Sequence, residues 1–430
     1  MRKFITAIFI TLFVIQISAQ QLPINQVTVS LPIIPNATFN ILNFGAGISS
    51  GDNANAIQKT IDACNAAGGG TVTIPSGVYL CGPISMKSNV NLQLSEGSTL
   101  KMLPYGKGNG IEPGTYPNSG KPDFYTHLIS GKGLNNIKVS GSGTIEGQGE
   151  DWWTAYRVSK AIKRGCLIRF DDCKYIEISG ITLQNAPNVH ITIGRSSSDV
   201  TISNIIIKCP AKSPNTDGID TWASNIQIFN CNISCGDDNI AMDAGTQNIT
   251  VKRCTFGTGH GCSVGSYTNG VGNVVVDSCT FSNTTSGIRL KSNRDRGGSE
   301  QNFYYSNITM NHVVNPIFIS GYYPKTPVTP SDDAAQEVKA TTPSWKHIYL
   351  KNITISDSPN AGTIWGLPEL AVTDVVFDNV KITAETGMKI NFANDVVFKN
   401  NSEINARSGD AVIAFSSTVS GINFKSGKPN

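Results

Sequence analysis

The strongest constraint on this chain is a period. Four short polar clusters stand in order: Asn215-Thr216-Asp217, Gly236-Asp237-Asp238, Gly259-His260-Gly261 and Arg289-Leu290-Lys291. Between them run alternating apolar residues such as Ile226-Gln227-Ile228, Ile249-Thr250-Val251 and Val274-Val275-Val276. Asp238 follows Asp217 by 21 residues, His260 follows Asp238 by 22, and Arg289 follows His260 by 29. The apolar runs keep step, with 23 residues from Ile226 to Ile249 and 25 from Ile249 to Val274. Alternation of this kind reads as half-buried strand. A period in the low twenties reads as one rung of a solenoid per repeat. Adjacent rungs of stacked parallel strands lie about 4.8 Å apart, so residues one period apart stand above one another. Asp217, Asp238, His260 and Arg289 are therefore expected to form an outer ladder with steps of about 5 Å.

A chain of 430 residues is long for one ordinary globular domain. A solenoid escapes that limit, because each rung contacts only its neighbours. The 42 glycines and a charged fraction of only 15% fit a turn-rich all-β protein. A formal charge of +3, with basic residues scattered, is too small to argue for nucleic acid and points to a local anion site rather than a global field. At the start, Arg2 and Lys3 precede an apolar run from Phe4 to Ile17, and Ser18-Ala19 offers small residues for cleavage. Residues 1–19 read as a signal peptide and 20–430 as the mature domain. The expected protein is secreted (periplasmic if the source is bacterial), monomeric, and free of membrane segments once mature. Ten cysteines in an exported chain permit disulfides. No Cys-x-x-Cys pair occurs, so no metal site is read from them.

In chain order, Asp52 is placed to cap a helix over Asn53–Ala66 that ends at Gly68-Gly69-Gly70. A helix before the first rung would cover the open end of the coil. No long helical period is visible after Ala67. Asn or Asp recurs beside the rungs, at Asn136, Asp199, Asn225, Asn248 and Asn273, as suits corners with left-handed backbone angles. The sequons at Asn232, Asn248 and Asn307 read as such corners before they read as glycosylation sites. Excursions at Leu103–Phe124, Gly147–Gly165 and Tyr323–Ser344 break the period and are expected to wall a cleft. Trp152 and Trp153 are expected to pack.

With those four clusters in that order, the sequence resembles the polygalacturonases of glycoside hydrolase family 28. The resemblance runs from Phe44-Gly45-Ala46 through Gly147-Gln148-Gly149-Glu150-Asp151-Trp152-Trp153 to Gly366-Leu367-Pro368-Glu369. It implies a single-stranded right-handed parallel β-helix (a pectin-lyase-like solenoid) that hydrolyses α-1,4 bonds of pectic polygalacturonate with inversion, without cofactor or metal. Carried over, Asp237 would be the general acid, Asp217 and Asp238 would hold and activate water, and His260 would support the acid. Asn215, Arg289, Lys291 and Tyr323 would bind substrate, with Tyr322 the rival of Tyr323. Two departures stand out: Ala186-Pro187-Asn188-Val189-His190 replaces a Ser-Pro-x-Trp motif, and Asn239 follows the paired Asp where many members have Cys.

The residues support the same chemistry without the resemblance. Clustered carboxylates repel, so one should hold its proton beside ionised neighbours, as an acid and base pair requires. Galacturonan carries one carboxylate per sugar; Arg289 supplies a planar fork for it and Lys291 a point charge. Asp237 and Asp238 are adjacent, so they share a target only if a bend breaks the strand there. Asp220 and Asp243 read as structural, and Arg294 and Arg296 as an extension of the anion subsites. Other readings are a calcium-dependent lyase on the same fold, a non-catalytic polysaccharide-binding β-helix, and a hydrolase of rhamnogalacturonan or xylogalacturonan. Internal and end-wise cutting both fit.

Overall fold

The computed structural model describes residues 27–105, 127–327 and 329–421, with the backbone of 424–425. The expected signal peptide and nearly all of the Leu103–Phe124 excursion lie outside the described residues. From Thr38 onward the chain is a parallel β-helix. Most strands pair in parallel with the third strand after them, so one turn of the coil contributes three strands. Ser224–Phe229 pairs with Gln247–Lys252, and that strand with Gly272–Asp277. Ile226, Ile249 and Val274 fall in one column, as the period predicts.

Alternation sets which residues enter the coil. Along Ile219–Thr221, Ile240–Met242, Cys262–Val264 and Ser286–Lys291, the flanking residues Ile219, Ile240, Cys262 and Ile288 are fully buried. The residues between them, Asp220, Ala241, Ser263 and Arg289, share the opposite side of the strand. Each interior side chain stabilises the coil by about 1.5–3 kcal/mol through burial. Aromatic rings stack along the same direction, Phe256 on Phe281 at 4.7 Å and Phe377 on Phe398 at 4.2 Å between centroids.

Helix α1 (Ala54–Ala66) closes the first end, burying Ile57, Thr60, Ile61 and Cys64. Asp52 Oδ1 accepts from the Ala54 N–H at 2.8 Å and from the Gly82 N–H at 2.9 Å, tying the helix start to the first turn. A second helix, α2 (Gly149–Val158), fills the excursion in which no helix was expected. Its local signal is short; tertiary packing decides it, because Trp152 and Trp153 both sink into the core and Trp153 Nε1 donates to the Ala186 carbonyl at 3.0 Å. All ten cysteines are free and buried, so the disulfides the sequence permits are not formed here.

The corners carry the predicted asparagine backbone. Asn136, Asp199, Asn225, Asn248 and Asn273 have φ of 54°, 58°, 55°, 57° and 55°. Their side chains bond rung to rung: Asn248 Nδ2 donates to Asn225 Oδ1 at 3.2 Å, and Asn273 Nδ2 to Asn248 Oδ1 at 2.9 Å. Asn307, Asn352 and Asn379 repeat the pattern at another corner. Asn248→Ala removes two ladder bonds and leaves Ala in left-handed backbone. We expect it to lower unfolding stability by about 2–3 kcal/mol, read as a fall in the chemical-denaturation midpoint.

Candidate active site

The site forms at one corner, where successive turns leave one stack of strands and enter the next. Residues 236–239 bend between Asn232–Ser234 and Ile240–Met242, which lets adjacent Asp237 and Asp238 converge. Three such bends are tied together. The Gly236 N–H donates to Thr216 Oγ1 at 3.1 Å, and the His260 N–H to the Asp237 carbonyl at 2.8 Å. Asn239 is fully buried; its Nδ2 donates to the Ile233 and Thr258 carbonyls at 3.0 Å, and its Oδ1 accepts from the Gly261 N–H at 2.8 Å. The residue that departs from the family pattern therefore locks the bends of neighbouring turns. A Cβ on Gly259, at φ 135°, would lie 2.5 Å from Asn239 Oδ1, which explains a glycine beside His260.

The carboxylates differ sharply in surroundings. Asp238 is 3% exposed. Lys291 Nζ and Arg289 Nη1 each lie 2.7 Å from one of its oxygens, and Ser263 Oγ donates to Oδ1 at 2.5 Å. Asp237 presents more of its side chain, 25%, and takes His260 Nδ1 at 2.9 Å on Oδ1. Asn215 Nδ2 reaches Asp237 Oδ2 at 3.4 Å, and Asn215 Oδ1 accepts from Arg164 Nη2 at 2.9 Å. The Tyr323 ring centroid is 5.2 Å from Lys291 Nζ and 5.9 Å from the Arg289 guanidinium, whereas Tyr322 is buried with its hydroxyl on Asp333 at 2.6 Å. The geometry thus favours Tyr323 over its rival.

The structure corrects the expected ladder. Arg289 stands in register with Ser263 rather than His260, in a column that also holds Asp220. The longer gap before Arg289 carries it past the His260 level, so the guanidinium meets Asp238 directly. Arg294 does not extend an anion site: its guanidinium forms a two-point pair with Glu369 at 2.6 and 3.0 Å and also meets Asp333 at 2.5 Å. Arg296 donates to Ser266 Oγ at 2.9 Å. Ser263 and Arg164 were invisible to motif reading: one is a lone serine in a strand, the other a lone arginine in an excursion.

The surroundings push Asp217 and Asp237 in opposite directions. Burial pushes Asp217 well up, and Asp220, Asp237 and Asp238 push it further. Burial also raises Asp237, but the hydrogen bond and charge of His260, with Lys291 and Arg289, outweigh it and hold this acid below its ordinary value. Asp220, with Oδ1 buried and unpartnered, is raised by burial and by Asp243. Asp243 is itself pushed up to about 6, mainly by burial. The corner therefore gathers acids pushed apart by their surroundings, Asp217 and Asp220 upward and Asp237 downward.

The sequence matches the description "Glycosyl hydrolases family 28" over residues 64–406. The chain belongs to that family. An endo-polygalacturonase of Pectobacterium carotovorum subsp. carotovorum is 33% identical over 358 residues, covering 78% of this chain and 85% of that protein. An exopolygalacturonase of Zea mays is 29% identical over 375 residues, covering 81% of this chain and 84% of that one. The solved polygalacturonase of Erwinia carotovora ssp. carotovora superposes with a TM-score of 0.69 at 30% identity, covering 86% of this chain and 99% of that structure. This family 28 chain is thus a glycosidase on the parallel β-helix fold.

The raised acids make stability depend on pH. For Asp243 the unfolded chain loses its proton near 4 and the folded chain near 6, so the group's stabilisation is complete below about 4 and is lost as pH rises to about 6. Asp243→Asn is expected to flatten that decline, raising the urea midpoint at pH 7 relative to the parent while leaving the difference small at pH 3.5.

Proposed function

We propose that this chain hydrolyses α-1,4-galacturonosidic bonds of pectic homogalacturonan. The observation that carries the reading is the contrast between Asp237 and Asp238 at one bend: the first is accessible and held by His260, the second is buried and clasped by Arg289 and Lys291. An accessible carboxyl can reach the oxygen of a sugar–sugar link, and the cations beside it suit a polymer with one carboxylate per sugar. A substrate carboxylate arriving beside Arg289 offsets part of the positive charge that, after His260, holds Asp237 low, and exclusion of water raises it further. Asp237 then carries the proton and, once neutral, no longer pushes Asp217 up, so the proton passes from Asp217 to Asp237. The acid donates to the leaving oxygen, water attacks the anomeric carbon, and Asp217 or Asp238 takes the water's proton. Asn215 holds Asp237 in place, and Tyr323 offers a ring face beside the cations.

The calcium-lyase reading fits less well. Asp237, Asp238 and His260 can bring donor atoms within 4.8 Å of one another. However, each oxygen of Asp238 faces a cationic nitrogen at 2.7 Å, which opposes a second positive charge there, and His260 offers nitrogen where calcium prefers oxygen. Export of a mature 20–430 domain rests on the apolar run after Arg2 and Lys3. No helix among the described residues is long and apolar enough to cross a membrane.

Purified protein should release reducing ends from polygalacturonate, and Asp237→Asn should lower kcat by about 10²–10⁴-fold with a smaller change in KM. Absence of reducing ends, or an active Asp237→Asn, overturns the assignment. Proton NMR of the first product should show the β-anomer. An α-anomer would mean retention, to which the close spacing of Asp237 and Asp238 gives a direct route.

A further inference from the structure

Residues of the excursion after Tyr323 and the Asn293–Asp295 stretch line an open-sided cavity of about 340 Å³, to which Tyr323 also contributes. Its position is fixed by the Arg294 cluster. Arg294 holds Glu369 and Asp333, Tyr322 donates to Asp333, and Thr341 Oγ1 donates to the Arg294 carbonyl at 2.7 Å. Asn293 Nδ2 donates to the Tyr323 carbonyl at 2.9 Å, which joins the cavity to the ring beside Lys291. With Arg294 neutralised by its own acids, the charges left at the lining are Lys325, Lys339, Asp295 and Glu337. All four are exposed, and none is in an ion pair among the described residues. Two cations and two carboxylates thus share one cavity without meeting.

That pattern fits a ligand bearing both a carboxylate and hydroxyls. A simple polyanion such as phosphate would suit the lysines and be repelled by Asp295 and Glu337. A uronic acid satisfies both, with its carboxylate on lysine and its hydroxyls on carboxylate oxygens. We propose that the cavity lined by Lys325, Gln336, Glu337, Lys339 and Thr342 is a further uronate-binding subsite, next along the cleft from Tyr323, in which Lys325 and Lys339 hold the carboxylate of one more unit of the polymer. This rests on the galacturonan reading above, and it deepens that reading by lengthening the stretch of chain the protein grips. It also assigns a role to an excursion whose sequence showed only that the period breaks.

Binding can be read apart from turnover in the Asp237→Asn background. Hexagalacturonate is titrated calorimetrically at low salt into that protein with and without Lys325→Ala/Lys339→Ala. The double substitution should weaken hexamer binding by about five- to tenfold. It should leave binding of the fully methyl-esterified hexamer unchanged, since that ligand has no carboxylate for the lysines. Lys351→Ala/Lys381→Ala, two exposed lysines away from the cavity, should leave both Kd values unchanged. Unchanged hexagalacturonate binding overturns the subsite. So does an equal loss with the ester, or an equal loss from the Lys351 and Lys381 pair. The unsubstituted chain is assayed separately on polygalacturonate. A protein that binds the acid hexamer through these lysines yet releases no reducing ends keeps the subsite and loses the assigned reaction.

Discussion

Parallel register between turns is the constraint on which the rest depends. Backbone hydrogen bonds hold adjacent strands about 4.8 Å apart and fix which residue stands over which. Asp237 and Asp238 are useful together only because the bend they occupy is held from both sides. Thr216 braces it from the preceding turn and the Gly261 N–H, through Asn239, from the following one. The asparagine ladders at Asn225, Asn248 and Asn273 serve the same end on another corner, keeping the turns stacked without slip. A slip of one residue would send Asp220, Ser263 and Arg289 into the core.

Within that frame, electrostatics assigns the roles. An acid such as Asp238 cannot stay charged while buried unless cations meet it, and Arg289 and Lys291 do so at hydrogen-bond distance. Lys291 is only 5% exposed, and its ammonium is committed to Asp238. Asp217 and Asp220 have no such close cationic partners, and burial with like-charged neighbours pushes both upward. The site thus sets two acids pushed upward beside one pushed downward.

Much of this was legible in the chain. The period, the alternating runs and the corner asparagines are local, and local rules of strand and turn govern them. The first helix showed its start at Asp52 and its end at three glycines. The second helix did not show, because its formation depends on burying Trp152 and Trp153 against turns far away in sequence. Asp220 read as structural, yet it lies in the Arg289 column with an unpartnered oxygen. Arg294 and Arg296 read as ligand-binding, yet Arg294 is closed off by Glu369, which is 75 residues away in sequence.

The sequence alone determined a coil of about one turn per low-twenties period, an interior of aliphatic columns, and a corner where three acids, a histidine and two cations assemble. Those follow from spacing, and spacing is a property of the chain. The tertiary structure decided in which direction each acid is pushed, which cation is already paired, which of two adjacent tyrosines stands beside Lys291, and what the last excursion lines. Those depend on burial and on the approach of distant turns. The charge state of a side chain is set by everything packed around it, and no local pattern in the sequence carries that information.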